Sequence, residues 1–232
     1  MKTSHAALLV LGALGTLKAD VVFQQPSVWN GNGEQVGDGF TDEESTAMTG
    51  FQTYDNFSLG SGGTINQVSW VGLYINGSIF LNEPPNTTSW DIDIYANNSG
   101  SPGSLRSDTS LTTAQVTSQT LGTGIFGGVT FTMFEFTAGI PAFDAAPGTT
   151  YWFSPFSHNP DESAKFIWVQ GTGGDGSSFQ NRLTLGTASG AGLVGGDRAF
   201  SLSDVPEPSA ILLLGTVIAL AIFMQKRTYK RS

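Results

Sequence analysis

Trp90-Asp91-Ile92-Asp93-Ile94-Tyr95-Ala96-Asn97-Asn98-Ser99-Gly100-Ser101-Pro102-Gly103 decides the fold. Trp90, Ile92, Ile94 and Ala96 alternate with Asp91, Asp93 and Tyr95, the period-2 pattern of a half-buried strand. The strand then runs into a dense turn signal, Asn97 to Gly103. The same grammar recurs along the chain. Ile65 to Ile75 is apolar on both phases, with Val68, Trp70 and Tyr74 against Ile65, Val71 and Leu73. That predicts a central strand covered on both faces. Val129, Phe131 and Met133 alternate, and the phase then flips to Phe134 and Phe136, which suggests a bulge. Phe51 to Leu59, Leu111 to Leu121, Tyr151 to Phe156, Lys165 to Val169, Phe179 to Leu185 and Arg198 to Leu202 complete the set. Ala146-Pro147-Gly148 is a further turn. No stretch between Asp20 and Asp204 carries apolar residues at helical spacing. The expected fold is all-β, an antiparallel β-sandwich of jelly-roll-like form.

Composition narrows the chemistry. There is no cysteine, so thiol catalysis, disulfides and Cys-based zinc sites are excluded. All 19 acidic residues lie in residues 20–208, against four basic ones, Arg106, Lys165, Arg182 and Arg198, which leaves a formal charge of −15 there. So acidic a body disfavours nucleic acid and anionic membrane surfaces as partners.

The two ends carry addresses. Lys2, the apolar run Ala6 to Leu17 and the small Ala19 read as a secretory signal peptide over residues 1–19, cleaved after Ala19. Residues 20–204 are then the β-sandwich ectodomain, and residues 205–232 are a sorting and anchor segment. That segment reads Val205-Pro206-Glu207-Pro208-Ser209, then an apolar run from Ala210 to Met224, then Gln225-Lys226-Arg227-Thr228-Tyr229-Lys230-Arg231-Ser232. Pro206 and Pro208 fix φ and remove two backbone donors, so Glu207 stays in an extended, accessible stretch. As a helix the apolar run spans roughly 22 Å at about 1.5 Å per residue, short of a hydrocarbon core about 30 Å thick. That suits a marginal, temporary anchor. Lys226, Arg227, Lys230 and Arg231 form a basic stop that holds the terminus on the cytoplasmic side. The last strand candidate ends close to Pro206, so the uncut body sits against the membrane rather than on a stalk.

The tripartite tail resembles the PEP-CTERM sorting signal of Gram-negative bacteria. The resemblance covers only the tail. It implies processing by an integral-membrane exosortase-type enzyme, an inner-membrane-anchored precursor, and then display at the cell surface or release outside it. It also implies a non-enzymatic role in the extracellular matrix or biofilm, associated with exopolysaccharide. The body loosely resembles β-sandwich ectodomains carried by such proteins, through Tyr54-Asp55-Asn56-Phe57-Ser58-Leu59, Ile94 to Gly103 and Pro147-Gly148-Thr149-Thr150-Tyr151-Trp152. Two other functions stand beside this expectation. A carbohydrate-binding module would present coplanar exposed aromatics beside amides and carboxylates. A secreted hydrolase would need two opposed carboxylates across a cleft.

Candidate chemistry in the body is sparse, and no catalytic residue is assigned. Gly122 to Gly127 and Gly171 to Gly176 match G-x-G-x-x-G, but strand-like runs follow both, so they read as β-turn loops rather than dinucleotide sites. His158 reads as a solvated loop histidine, with no nucleophile elbow near it. Asp38, Asp42, Glu43 and Glu44 form the densest acidic cluster. Carboxylates beside glycines can gather the oxygen ligands of a structural calcium ion, and a solvated acidic loop is the plainer reading. Asp91 and Asp93 share one strand face and read as solvent-facing. Trp29 lies in the loop-like stretch Ser27 to Asn32 and is the candidate for stacking on a sugar ring.

Overall fold

The computed structural model of the chain describes residues 19–29, 32–35, 39–41, 43–44, 49–77, 79–85, 89–126, 128–158, 164–184 and 187–206. The chain divides into a unit Asp20–Asp204 and a second made of Met1–Ala19 with Val205–Ser232. The first unit is nearly all strand. In chain order it contains β1 (Asp20–Gln25), β2 (Asn32–Gln35), β3 (Gly39–Thr41), β4 (Glu43–Glu44), β5 (Thr49–Ser58), β6 (Gly63–Asn76), β7 (Ile79–Phe80) and β8 (Ser89–Asn97). Then follow β9 (Pro102–Leu111), β10 (Val116–Phe126), β11 (Val129–Ala145), β12 (Thr150–His158), β13 (Ala164–Val169), β14 (Ser177–Thr184), β15 (Thr187–Gly195) and β16 (Phe200–Asp204).

Among the described residues these strands form two sheets. The nine-stranded sheet runs β1-β16-β6-β11-β10-β2, with β13 joining β6 to β3 and β7 on β6. The seven-stranded sheet runs β15-β14-β5-β4-β12-β8-β9, and β5 also pairs β12. Pairing is antiparallel except where β2 meets β10 and β4 meets β12. The inner faces meet in one core. Ile92, Ile94, Phe57 and Phe153 come from one sheet, and Val68, Trp70, Phe136, Trp168 and Phe200 from the other. Trp70 meets Trp90 edge-on at 4.9 Å, and Phe153 stacks on Phe200 at 4.9 Å. Each such side chain, fully buried, contributes about 1.5–3 kcal/mol. Aromatic contacts therefore hold the sheets together where disulfides cannot.

The deciding stretch behaves as its alternation predicts. Trp90, Ile92 and Ile94 enter the core from β8. The β8–β9 hairpin closes on Asn98 and Ser101, whose backbone groups bond each other both ways. Ser99 and Gly100 between them have φ of 54° and 87°. Two successive positive φ values are the signature of a type I′ turn, whose twist matches the flanking strands. Asn97 Oδ1 accepts the Gly100 N–H at 3.1 Å and braces it.

β6 is the central strand covered on both faces. Ile65, Val68, Trp70 and Tyr74 face the inter-sheet core. Val71 and Leu73 face a second cluster on the outer side, with Trp29, Phe131, Met133, Val169 and Ala199. Gly72 lets β13 close on this strand: a Cβ there would collide with the Phe166 ring and approach the Ile167 carbonyl. The change of phase in β11 has the same cause. Phe131 and Met133 serve the outer cluster, while Phe134 and Phe136 serve the core. The bulge lies opposite, in β10, where the register skips Leu121 between Thr120 and Gly122.

Two expectations are corrected. Leu111 to Leu121 is not one strand: a short 3₁₀ turn at Thr113–Gln115 separates β9 from β10. It is tied by the Gln115 N–H to the Thr112 carbonyl and by the Thr112 N–H to Gln115 Oε1. Gly122 and Gly124 do not form a loop but lie inside β10, paired with Met133 and Phe131. The second glycine-rich stretch is a loop that leads into β14.

Candidate functional site

Two outer surfaces carry polar chemistry. On the seven-stranded sheet, alternation turns Gln52 and Tyr54 of β5, Ser154 of β12, and Asp93 and Tyr95 of β8 to the outer side, away from Phe57, Phe153 and Ile94. Register brings them together, because β12 pairs with both β5 and β8. Asp93 Oδ2 accepts the Tyr95 hydroxyl at 2.7 Å and the Gln52 amide at 3.2 Å. Gln52 also donates to Ser154 Oγ at 3.3 Å and accepts the Tyr54 hydroxyl at 2.7 Å. Asp93 is 7% exposed. Burial pushes its carboxyl up to about 6, and the neighbouring Asp108 and Asp91 charges push the same way. The solvent-facing expectation for Asp93 is thus corrected. Burial likewise drives the Tyr95 hydroxyl well above its ordinary range.

His158 is not in a loop. It ends β12, and its Nε2 lies 2.6 Å from Asp91 Oδ2, while Ser110 Oγ donates to Asp91 Oδ1 at 2.7 Å. The hydrogen bond from His158 holds the Asp91 carboxyl below the usual carboxylate range. Asp91 and Asp93 sit on one strand, each engaged by neighbours, so they do not oppose each other across a cleft as glycosidic acid and base would.

The inner face of the same sheet holds Asp55, 0% exposed. Its carboxylate accepts the N–H groups of Asn56 and Arg198, yet burial raises its pKa well above the ordinary value. Asp197 beside it accepts the N–H groups of Gly174 and Gly176 at 2.9 and 2.7 Å. These two aspartates tie the Gly-rich loop and the approach to β16 onto β5. No spacing rule in the chain predicts them: Asp55 reaches Arg198 across 143 residues, and Asp197 reaches Gly174 and Gly176 across 23 and 21.

The second surface is a cleft of about 300 Å³ on the outer face of the nine-stranded sheet, lined by residues that include Gln24, Pro26, Ser27, Trp29, Ser69, Val71, Leu121, Glu135 and Ser201. Trp29 forms part of its wall, but the ring is 7% exposed and packs on Phe131 at 5.6 Å. A ring so covered has no open face for a pyranose, so the stacking expectation for Trp29 is corrected. Trp70, Trp90, Trp152 and Trp168 are each 2% exposed or less.

The remaining sequence candidates sit as follows. Asp38 and Asp42 lie outside the described residues. Glu43 and Glu44 form β4, pairing β5 and β12 through the backbone. Among the described residues no group of three potential ligands could hold a metal ion. Ala19 and Pro206 flank the folded unit. Glu207, Pro208, Lys226, Arg227, Lys230 and Arg231 lie outside the described residues. Among those described, no helix is long and apolar enough to cross a membrane. No family model and no curated protein matches the chain.

Proposed function

We propose that the chain is an exported, tail-sorted protein of the bacterial cell surface or extracellular matrix. In this reading an exosortase-type membrane enzyme recognises Pro206-Glu207-Pro208 and processes the tail. The body then serves without catalysis, in association with exopolysaccharide. One observation carries the reading. β1 begins at Asp20 and β16 ends at Asp204, and these two residues are register partners in adjacent antiparallel strands. Cuts after Ala19 and within the Pro-Glu-Pro element would therefore leave every described strand intact. Both ends of the body leave from one point of the sheet. The acidic surface and the aromatic core suit a domain that stays soluble and folded outside the cell without disulfides.

A jelly-roll-like winding is part of the proposal. It is supported by the repeated crossing of the chain between sheets, as at β5 to β6, β9 to β10, β11 to β12 and β15 to β16.

The test is processing in a Gram-negative host that carries an exosortase. Replacing Pro206, Glu207 and Pro208 together by alanine is expected to leave full-length precursor in the membrane. Maturation at the wild-type rate would sink the sorting assignment.

A further inference from the structure

We infer that the cleft on the outer face of the nine-stranded sheet binds a neutral sugar unit edge-on, through hydroxyl, amide and carboxylate groups rather than by aromatic stacking. The inference rests on the surface-matrix reading for the source of its glycan, and on geometry for its chemistry.

The floor is a polar row that crosses three adjacent strands and continues onto a fourth beside the cleft. Gln24 of β1 is the register partner of Ser201 of β16, Ser201 that of Ser69 of β6, and Ser69 that of Thr137 of β11. Neighbouring strands lie about 4.8 Å apart, so the cleft offers an amide and two hydroxyls at regular intervals, with the Thr137 hydroxyl beyond them. The Ser69 and Thr137 hydroxyls share a 2.8 Å hydrogen bond, which orients both. A sheet face needs no such row for stability, since solvent-facing positions accept most residues. Hydroxyl and amide groups can each donate and accept, and that dual capacity matches the hydroxyls of a sugar.

Among the described residues lining the cleft, Glu135 supplies the one charge. Its Oε2 accepts the Gln119 amide, which holds the carboxylate in place. A carboxylate accepts strongly from ligand hydroxyls and repels anions, so phosphates and uronates are disfavoured. Apolar atoms complete the wall. Leu121, the bulged residue of β10, is 40% exposed beside the cleft, where the C–H edge of a sugar ring can rest. Trp29 also lines it, and its buried Nε1 has no acceptor among the described residues. The volume lies at the lower end of the range for small-molecule sites, roughly 300–1,000 Å³. It suits one sugar ring of a longer chain rather than a peptide segment.

The full-length chain, purified in detergent, can be titrated calorimetrically with maltohexaose, laminarihexaose, cellohexaose and xylohexaose. Oligogalacturonate and spermidine serve as anionic and cationic probes. At least one neutral hexasaccharide is expected to bind saturably and oligogalacturonate is not, while any spermidine held by the acidic body is expected to stay bound in Gln24→Ala. Gln24→Ala and Glu135→Gln are each expected to weaken that binding about tenfold, the loss of one hydrogen bond to a ligand, with the urea midpoint unchanged. Asp108→Asn, on the opposite sheet, leaves it as it was. Failure of all four hexasaccharides, preferential binding of oligogalacturonate, loss of spermidine binding in Gln24→Ala, or equal affinity in both cleft variants overturns the inference. A processed chain whose cleft binds no sugar removes this inference alone. An unprocessed chain whose cleft binds sugar removes the sorting reading alone.

Discussion

Asp93 is held between a hydroxyl, an amide and two neighbouring carboxylates, and it is too buried to ionise at its ordinary pH. A carboxyl whose folded-state pKa is raised binds its proton more tightly in the folded chain. Its contribution to stability is full below the unfolded value near 3.8 and is lost as pH rises through about 6. The shift corresponds to at most about 3 kcal/mol between those limits. Asp93→Asn is therefore expected to stabilise the body at pH 7.5, and to flatten stability between pH 4 and 6.5, as read by urea denaturation at each pH. A variant less stable than wild type at pH 7.5, with the pH dependence intact, contradicts the assignment. Asp91 has the opposite sign: its lowered pKa gives stability that is lost on acidification. Alternation along β8 places the two aspartates on one face, and that much is legible in the sequence. Their different fates are not. Asp93 is covered through Gln52 of β5 and lies opposite Ser154 of β12; β12 pairs β8 across a long stretch of chain, and β5 reaches β8 only through β12.

At the scale of elements, the hairpin between β8 and β9 shows local chemistry and tertiary register in agreement. Its turn places Ser99 at φ 54°, a region in which most L-residues are strained. Asn enters it readily, and Asn-Gly is the preferred type I′ pair. Ser99→Asn is thus expected to stabilise the body by roughly 1 kcal/mol or less, measured as a shift in urea midpoint with unchanged slope. A lower midpoint would mean that the turn is of another type. Strands with strong apolar alternation or two apolar phases, such as β6, β8 and β12, are legible because both faces of each are used. β1, β9 and β15 are harder to see. They stand at sheet edges, and DVVFQQ, PGSLRSDTSL and TASGAGLVG contain few apolar residues at a steady period. The 3₁₀ turn between β9 and β10 is hidden for a related reason: Leu111 and Val116 look like one continuing pattern until the Thr112–Gln115 hydrogen bonds break it. The cleft is hidden as well. Its polar row joins residues from β1, β6, β11 and β16, and no window of sequence contains two of them.

For the whole molecule, an acidic two-sheet body is flanked by two ends that are proposed to be processed. Asp20 and Asp204 are register partners in the nine-stranded sheet, so trimming on either side removes none of the described strands. The most direct test is the intact mass of the protein recovered from the surface or medium of an exosortase-bearing Gram-negative host. The account predicts a mature chain that begins at Asp20 and ends no later than Pro208, with the basic terminus Lys226 to Arg231 absent. Recovery of the complete 232-residue chain, with both ends retained, would contradict it.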